Sequence, residues 1–207
     1  MLKLIQSLIL IILLSLSGCG IVYYFKYGVT PRKNEPHKQQ IEYLVSEGFD
    51  TLNVFSIKCS YMDSLSDEKF AMNAYKLETG ASAAAVQIRM YRNNGLFITG
   101  WTQCMGGNPR AHGMLDSLPM YSPPYLTINY NLHMYSDLDL FDISKLEKAS
   151  LIEQSQNTDY TIVIFWAEWT GSFSDKTFAD VYDYISKYPE VDFLILKLNT
   201  ATFCDSK

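Results

Sequence analysis

The stretch that decides the fold is Thr161-Ile162-Val163-Ile164-Phe165-Trp166-Ala167-Glu168-Trp169-Thr170-Gly171-Ser172-Phe173. Its first four residues are apolar and mostly β-branched, which is typical of a strand that is buried on both faces. Residues 172–186 carry apolar side chains at helical spacing, with Ser172 or Ser174 as the predicted cap, and residues 191–198 are again mostly apolar. This succession of strand, tight turn, helix and strand predicts a βαβ unit in a parallel sheet.

The run Phe165-Trp166-Ala167-Glu168-Trp169 resembles the start of a thioredoxin domain. That family carries a Phe-Trp-Ala-x-Trp run directly before Cys-Gly-Pro-Cys, at the end of a central strand. The resemblance covers residues 161–200, about a fifth of the chain. It implies a thioredoxin-like segment over residues 138–207.

The departures from the family concern its reactive positions. Thioredoxin chemistry requires a thiolate at the start of a helix and a second thiol that resolves the mixed disulfide. By the resemblance, Thr170 occupies the position of the nucleophile, Phe173 that of the resolving thiol, and Ile164 that of the buried acid. We therefore expect no thiol–disulfide oxidoreductase activity, no catalytic residue and no cofactor. The remaining candidate is a vestigial site formed by Trp169, Thr170, Gly171, Ser172 and Phe173.

The resemblance also implies a further helix, a hairpin and a final helix, but only seven residues follow Thr200. Four explanations are open. The chain is a truncated thioredoxin-like protein, or a partner chain completes the sheet, or the fold is a different α/β fold. In the fourth, the N-terminal half supplies the missing strands as in a circular permutation, with residues 122–128 as a candidate strand.

Residues 39–137 show the patterns of an α+β region. The predicted elements are helices at 38–47 and 66–77, strands at 51–57 and 125–130, and a hairpin at 85–101 around Asn93-Asn94-Gly95. A further helix is predicted at 144–154, with Leu146, Ala149 and Ile152 on its apolar side. The predicted fold class is therefore α/β: an α+β N-terminal region followed by a partial thioredoxin-like βαβ unit.

The N-terminus has the pattern of an export signal. Lys3 precedes an apolar run, which ends in Leu16-Ser17-Gly18-Cys19. These four residues resemble the lipobox of bacterial lipoproteins, which implies a signal peptide over 1–18, acylation of Cys19 with palmitate, and a membrane tether over 19–38. The alternative is an uncleaved anchor helix, because residues 4–25 are uncharged and long enough to span a bilayer. Both interpretations attach the chain to a membrane of the bacterial cell envelope, and the first places it facing the periplasm.

Composition limits the classes of function. The chain has 207 residues, 48% of them apolar, and a net charge of −5, so it can form a core and is not a dedicated nucleic-acid binder. Residues 137–207 hold six basic and thirteen acidic side chains, a net charge of −7. None of the three histidines has metal-ligand spacing, so no metal site is predicted.

Three cysteines remain if Cys19 is lipidated: Cys59, Cys104 and Cys204. A Cys59–Cys104 disulfide is one alternative for two of them, although no C-x-x-C motif is present.

The sequence as a whole favours a lipoprotein with a binding or scaffolding role, whose partners are the membrane and a protein. Two alternatives stand beside it. One is a thiol-dependent oxidoreductase that uses Cys104 or Cys204, and the other is a truncated chain with little activity of its own.

Overall fold

The computed structural model of the chain describes residues 28, 35–58, 86–102 and 133–201, with the backbone alone at 99–102. The helices are α1 (His37–Ser46), α2 (Met134–Leu138), α3 (Lys145–Gln156) and α4 (Ser172–Ser186), with a 3-10 turn at Glu168–Thr170. The strands are β1 (Val54–Ser56), β2 (Gln87–Arg92), β3 (Phe97–Thr102), β4 (Tyr160–Trp166) and β5 (Phe193–Asn199). The predicted helix at 66–77 and strand at 125–130 lie outside the described residues.

The five strands form one mixed sheet in the order β1-β5-β4-β2-β3. β1, β5 and β4 are parallel, whereas β2 is antiparallel to both β4 and β3. The predicted βαβ unit is therefore present as β4, α4 and β5, and the predicted α/β class is confirmed. β4 is the central strand, and strands from the N-terminal half of the chain complete the sheet on both sides.

The predicted hairpin is β2 and β3, and it pairs directly with β4, where Ile88 lies opposite Ile164. Gly95 has a φ of 77° in the turn. A Cβ on Gly95 would lie 2.2 Å from the imidazole ring of His133, so both the backbone and the space require glycine there. The candidate strand at 122–128 lies outside the described residues, and the described neighbour of β4 is β2 instead.

Both faces of the sheet are covered, because the side chains of β4 point alternately to two apolar clusters. One cluster joins Ile162, Ile164 and Trp166 of β4 to α1 and α4. The other joins Val163 and Phe165 of β4 to α2 and α3. The fold therefore has three layers, helices on each side of a sheet.

α3 differs from its prediction in the face that it buries. Of the predicted apolar side, Ile152 is partly buried against the apolar cluster, but Leu146 and Ala149 are exposed, Leu146 at 81%. The buried residues of this helix are Leu151 and Ser155. The helix carries too few apolar residues for its sequence to define one face, so its contact with the sheet decides the buried side.

Two buried charged groups are paired within the layers. The Lys197 ammonium on β5 lies 2.7 Å from the Asp50 carboxylate, and Asp50 also accepts a hydrogen bond from the Tyr182 hydroxyl. Burial raises the pKa of Asp50, but the hydrogen bonds from Lys197, Tyr182 and the Leu52 amide outweigh burial and lower it. On the opposite face the buried Asp137 carboxylate is bound by Arg89 and the Tyr91 hydroxyl. Burial nevertheless raises the pKa of Asp137.

Candidate functional site

The predicted site residues lie together in the turn that joins β4 to α4. This turn is at the carboxyl edge of the parallel strands, which is the edge where open α/β sheets place their ligands. Gly171 has a φ of 55°, which favours glycine, and α4 begins directly after it. The predicted helix start at Ser172 is confirmed, but neither Ser172 nor Ser174 caps the helix, because its N-cap is Gly171.

Thr170 is buried in this turn, with 1% of its surface exposed. Its hydroxyl donates to the Ala167 carbonyl at 2.6 Å and lies 2.7 Å from the Ser174 hydroxyl. Ser174 in turn accepts a hydrogen bond from the Ala167 amide at 3.2 Å. These hydrogen bonds hold the first turn of α4 against the end of β4, and they leave the Thr170 hydroxyl buried.

The two tryptophans of the motif have different environments. Trp166 is fully buried, stacks on Tyr43 with ring centroids 5.5 Å apart, and meets Phe178 edge-on. Trp169 is partly exposed, and its indole Nε1 is buried without a hydrogen-bond partner among the described residues. Trp166 is thus part of the core, whereas Trp169 contributes surface to the site.

Tyr43 links α1 to this region. Its hydroxyl hydrogen-bonds to the carboxylate of Asp175 in the first turn of α4. Burial raises the pKa of Tyr43, and the Asp175 carboxylate raises it further. Tyr43 therefore remains a neutral hydrogen-bond donor at physiological pH.

Sequence reasoning missed Glu35, although the structure places it in the middle of this edge. Glu35 is 1% exposed, and its carboxylate accepts hydrogen bonds from the backbone amides of Glu168 at 3.0 Å and Trp169 at 2.9 Å. A third bond comes from the Asn199 side-chain amide at 2.9 Å. Glu35 falls within the predicted tether at 19–38, yet its side chain is an integral part of the turn.

Two glutamines of α1 extend the hydrogen bonds around Glu35. The Gln40 amide donates to the Glu35 carbonyl at 2.6 Å, and the Gln39 amide donates to the Glu168 carboxylate at 2.5 Å. Asn199 also accepts from the Ala201 amide at 2.8 Å. The ends of β4 and β5 and the start of α1 are thereby joined by one hydrogen-bonded network, in which neutral amide donors surround a carboxylate.

Gly28 is a further described residue at this turn. A Cβ on Gly28 would lie 3.8 Å from Gly171 Cα, an ordinary van der Waals distance. Gly28 therefore lies beside Gly171 in the candidate site.

The other singled-out residues lie elsewhere. Cys19, Cys59, Cys104 and Cys204 are outside the described residues. Across residues 35–58, 86–102 and 133–201, no three His, Cys, Asp or Glu side chains are grouped so that they would hold a metal ion. Within those same ranges, no helix is both long enough and apolar enough to cross a bilayer.

Comparisons of the chain with protein-family models, with curated proteins and with solved structures found no match.

Proposed function

We propose that the chain is a membrane-anchored bacterial lipoprotein that faces the periplasm and carries a redox-inactive, thioredoxin-like binding module. The turn from Trp169 to Phe173 is its interaction surface, and its role is to bind or scaffold a protein partner. The main support for this proposal is the burial and hydrogen bonding of the Thr170 hydroxyl. At the position where the resemblance expects a reactive thiolate, a hydroxyl is buried and hydrogen-bonded to Ala167 and Ser174.

The arrangement of the strands supports the thioredoxin-like part of the proposal. β4, which ends in the Phe-Trp-Ala-x-Trp run, is central, and an antiparallel hairpin lies beside it. The resemblance implies a hairpin after the βαβ unit, whereas this hairpin precedes it in the chain. This order favours the alternative in which the N-terminal half supplies strands, as in a circular permutation.

A truncated chain, or one whose sheet a partner completes, would leave β5 as an unpaired edge strand. In this structure β5 is paired with β1. β1 pairs with β5 in parallel, with Val54 opposite Lys197 and Ser56 opposite Asn199. A sheet that is paired on both sides of the βαβ unit favours a finished binding domain over a fragment.

The redox part of the proposal is tested with an insulin-disulfide reduction assay on the full chain in detergent. We expect insulin reduction to be no faster than in buffer alone, because Thr170 and Phe173 supply no thiol. Turnover that Cys104→Ser or Cys204→Ser abolishes would contradict the binding role and establish a thiol-dependent oxidoreductase.

The anchor is tested separately by fatty-acid labelling in bacterial cells. Cys19→Ser should abolish both labelling and processing, because the thiol of Cys19 is the predicted acceptor. Cys59→Ser is the matched control and should be labelled like the unaltered chain. Undiminished labelling of the Cys19→Ser chain would refute lipidation at this position.

The interaction surface is tested by placing a photo-crosslinking phenylalanine analogue at Phe173 in the anchored chain. We expect adducts with a discrete protein from Phe173 and none from Leu146, which is more exposed but lies on α3. Equal yields from both positions would show that the turn has no special role in binding.

A further inference from the structure

The imidazole of His133 lies between the turn of the β2–β3 hairpin and the start of α2. On one side it packs so closely against Gly95 that a Cβ there would lie 2.2 Å from the imidazole Cε1. On the other side it contacts the ring of Tyr135, with ring centroids 4.1 Å apart. The backbone fixes the same junction, because His133 pairs with Leu96 in an antiparallel bridge and the Met134 amide donates to the Gly95 carbonyl at 2.9 Å.

His133 is also the N-cap of α2, and its side chain supplies the capping acceptor. Its Nδ1 accepts a hydrogen bond from the Tyr135 amide at 3.4 Å. The two neighbouring amides have backbone partners, since Met134 donates to Gly95 and Ser136 donates to the His133 carbonyl. Of these three donors at the start of the helix, only the Tyr135 amide therefore depends on a side chain. Its hydrogen bond requires a neutral imidazole that carries its hydrogen on Nε2.

Protonation of His133 would remove this acceptor. An imidazolium carries a hydrogen on both nitrogens, so Nδ1 would then point a donor at the Tyr135 amide, which is itself a donor. The proton would also place a positive charge at the N-terminal end of a helix, where the backbone dipoles favour negative charge. Histidine is the side chain whose charge ordinarily changes between about pH 5 and 8.

The charged neighbours of His133 offer no partner that would compensate for an added positive charge. On the described elements beside it they are Arg89 and Arg92 of β2, Asp137 of α2 and Asp139 at the end of α2. Asp137 is already bound by Arg89, and Asp139 by Lys148. Burial raises the pKa of Asp137, so proton uptake by Asp137 favours the folded state in acid. A loss of stability on acidification would thus have the opposite sign from the effect of Asp137.

We propose that His133 makes the contact between the hairpin turn and α2 sensitive to acid. At neutral pH the imidazole caps α2 and packs against Gly95. At mildly acidic pH the ring gains a proton, the Tyr135 amide loses its partner and the junction loosens. Because α2 places Met134 and Leu138 in the apolar cluster beneath it, the protonation of one exposed-edge histidine controls how firmly this face of the sheet is covered.

Asparagine at position 133 separates the cap from the proton. His133→Asn keeps a side-chain acceptor, because asparagine is among the best N-caps, but it does not titrate. Between about pH 7.5 and about pH 5, the Tm of the full chain in detergent should fall by roughly 2–4 °C more for the unaltered chain than for His133→Asn. His37 is exposed at the start of α1, so His37→Asn is the matched control and should keep the full pH dependence.

Two local measurements on the unaltered chain need no variant. Nitrogen NMR shifts of the His133 ring should show the Nε2–H tautomer at the higher pH. The protection of the Tyr135 amide against hydrogen exchange, corrected for the intrinsic rate, should fall about fivefold at the lower pH. The Leu151 amide in α3 should keep its protection within about twofold, because no titrating cap holds it.

An Nδ1–H tautomer at the higher pH would overturn the proposal, because that nitrogen could not accept from Tyr135. Equal pH dependence of the Tm in the unaltered chain and in His133→Asn, together with unchanged protection of the Tyr135 amide, would also overturn it. If His133→Asn does not fold, the two local measurements decide by themselves.

Discussion

Two buried threonines, Thr170 in the candidate site and Thr161 near the other end of β4, differ in what their hydroxyls do. The Thr170 hydroxyl donates to the Ala167 carbonyl, whereas the buried Thr161 hydroxyl on β4 has no hydrogen-bond partner among the described residues. A satisfied buried hydroxyl stabilises the folded state modestly, whereas an unsatisfied one carries an uncompensated loss of hydration. The same substitution at the two positions should therefore have different effects.

We predict that Thr170→Val lowers the free energy of unfolding by about 1–2 kcal/mol, because a buried network loses its donor. Thr161→Val is the matched control and should leave stability unchanged or raise it slightly, since valine also favours a strand. Denaturant titration of both variants measures the difference. An equal decrease in the free energy of unfolding for both variants would show that the Thr170 hydroxyl does not stabilise the turn.

At the scale of residues, the sequence predicted some members of the candidate site and gave no signal for others. The position of the turn at Thr170 and Phe173 could be predicted, because these residues follow directly on a strand with a clear apolar pattern. Glu35 could not be predicted, because its partners Trp169 and Asn199 are more than 130 residues away in the chain. Only the fold brings them together, and an isolated acidic residue beside Pro36 carries no signal of its own.

At the scale of elements, the start of α3 is defined by a reciprocal pair of hydrogen bonds. The Ser144 hydroxyl accepts from the Glu147 amide, and the Glu147 carboxylate accepts from the Ser144 amide at 2.8 Å. The backbone hydrogen bond from Ser144 lowers the pKa of Glu147. This capping box satisfies two donors that a helix otherwise leaves unpaired at its start.

We predict that Ser144→Ala destabilises the protein by about 1 kcal/mol, because the cap is lost. Ser150→Ala, an exposed position in the same helix, should change stability by less than about 0.5 kcal/mol, since alanine favours helix interiors. Thermal unfolding of the two variants compares them directly. A smaller loss for Ser144→Ala than for Ser150→Ala would contradict the role of the cap.

Element boundaries were more predictable than element faces. The boundaries of α4 match its prediction, because Gly171 ends the preceding turn and apolar side chains recur at helical spacing. The face of α3 was predicted only in part, since Ile152 packs on the core but Leu146 is exposed and Leu151 is buried. A local pattern shows where a helix forms, but the neighbouring sheet decides which side of a mostly polar helix is covered.

At the scale of the whole molecule, the sheet unites the two regions that the sequence separates at residue 138. β4 and β5 come from the second region, and their outer neighbours β2 and β1 come from the first. Each region contributes residues to both apolar clusters. The α/β class was predictable from local patterns, but the pairing of a hairpin with a strand some seventy residues later was not.

We predict that a segment of residues 138–207 does not fold cooperatively by itself. Without β2 and β1, both outer edges of the β4–β5 pair lose their hydrogen-bond partners, and two apolar clusters lose part of their contacts. Circular dichroism should show a gradual thermal change for the segment and a single transition for the full chain. A sharp transition of the isolated segment would show that residues 138–207 are a domain of their own.

Glu35 lies at the carboxyl edge of β4, so the predicted tether joins the domain at that edge. Cys19 lies nine residues before Gly28, which is already beside Gly171, so if Cys19 is acylated the domain lies at most about 30 Å from the bilayer, and about 15–18 Å on average for a flexible chain. The tether therefore joins the domain on the side that carries the turn at Trp169. A partner in the same bilayer would then meet this turn by lateral diffusion at a millimolar effective concentration. An intrinsically weak contact would suffice there, and affinities measured with the detached domain would understate how often the complex forms in the cell.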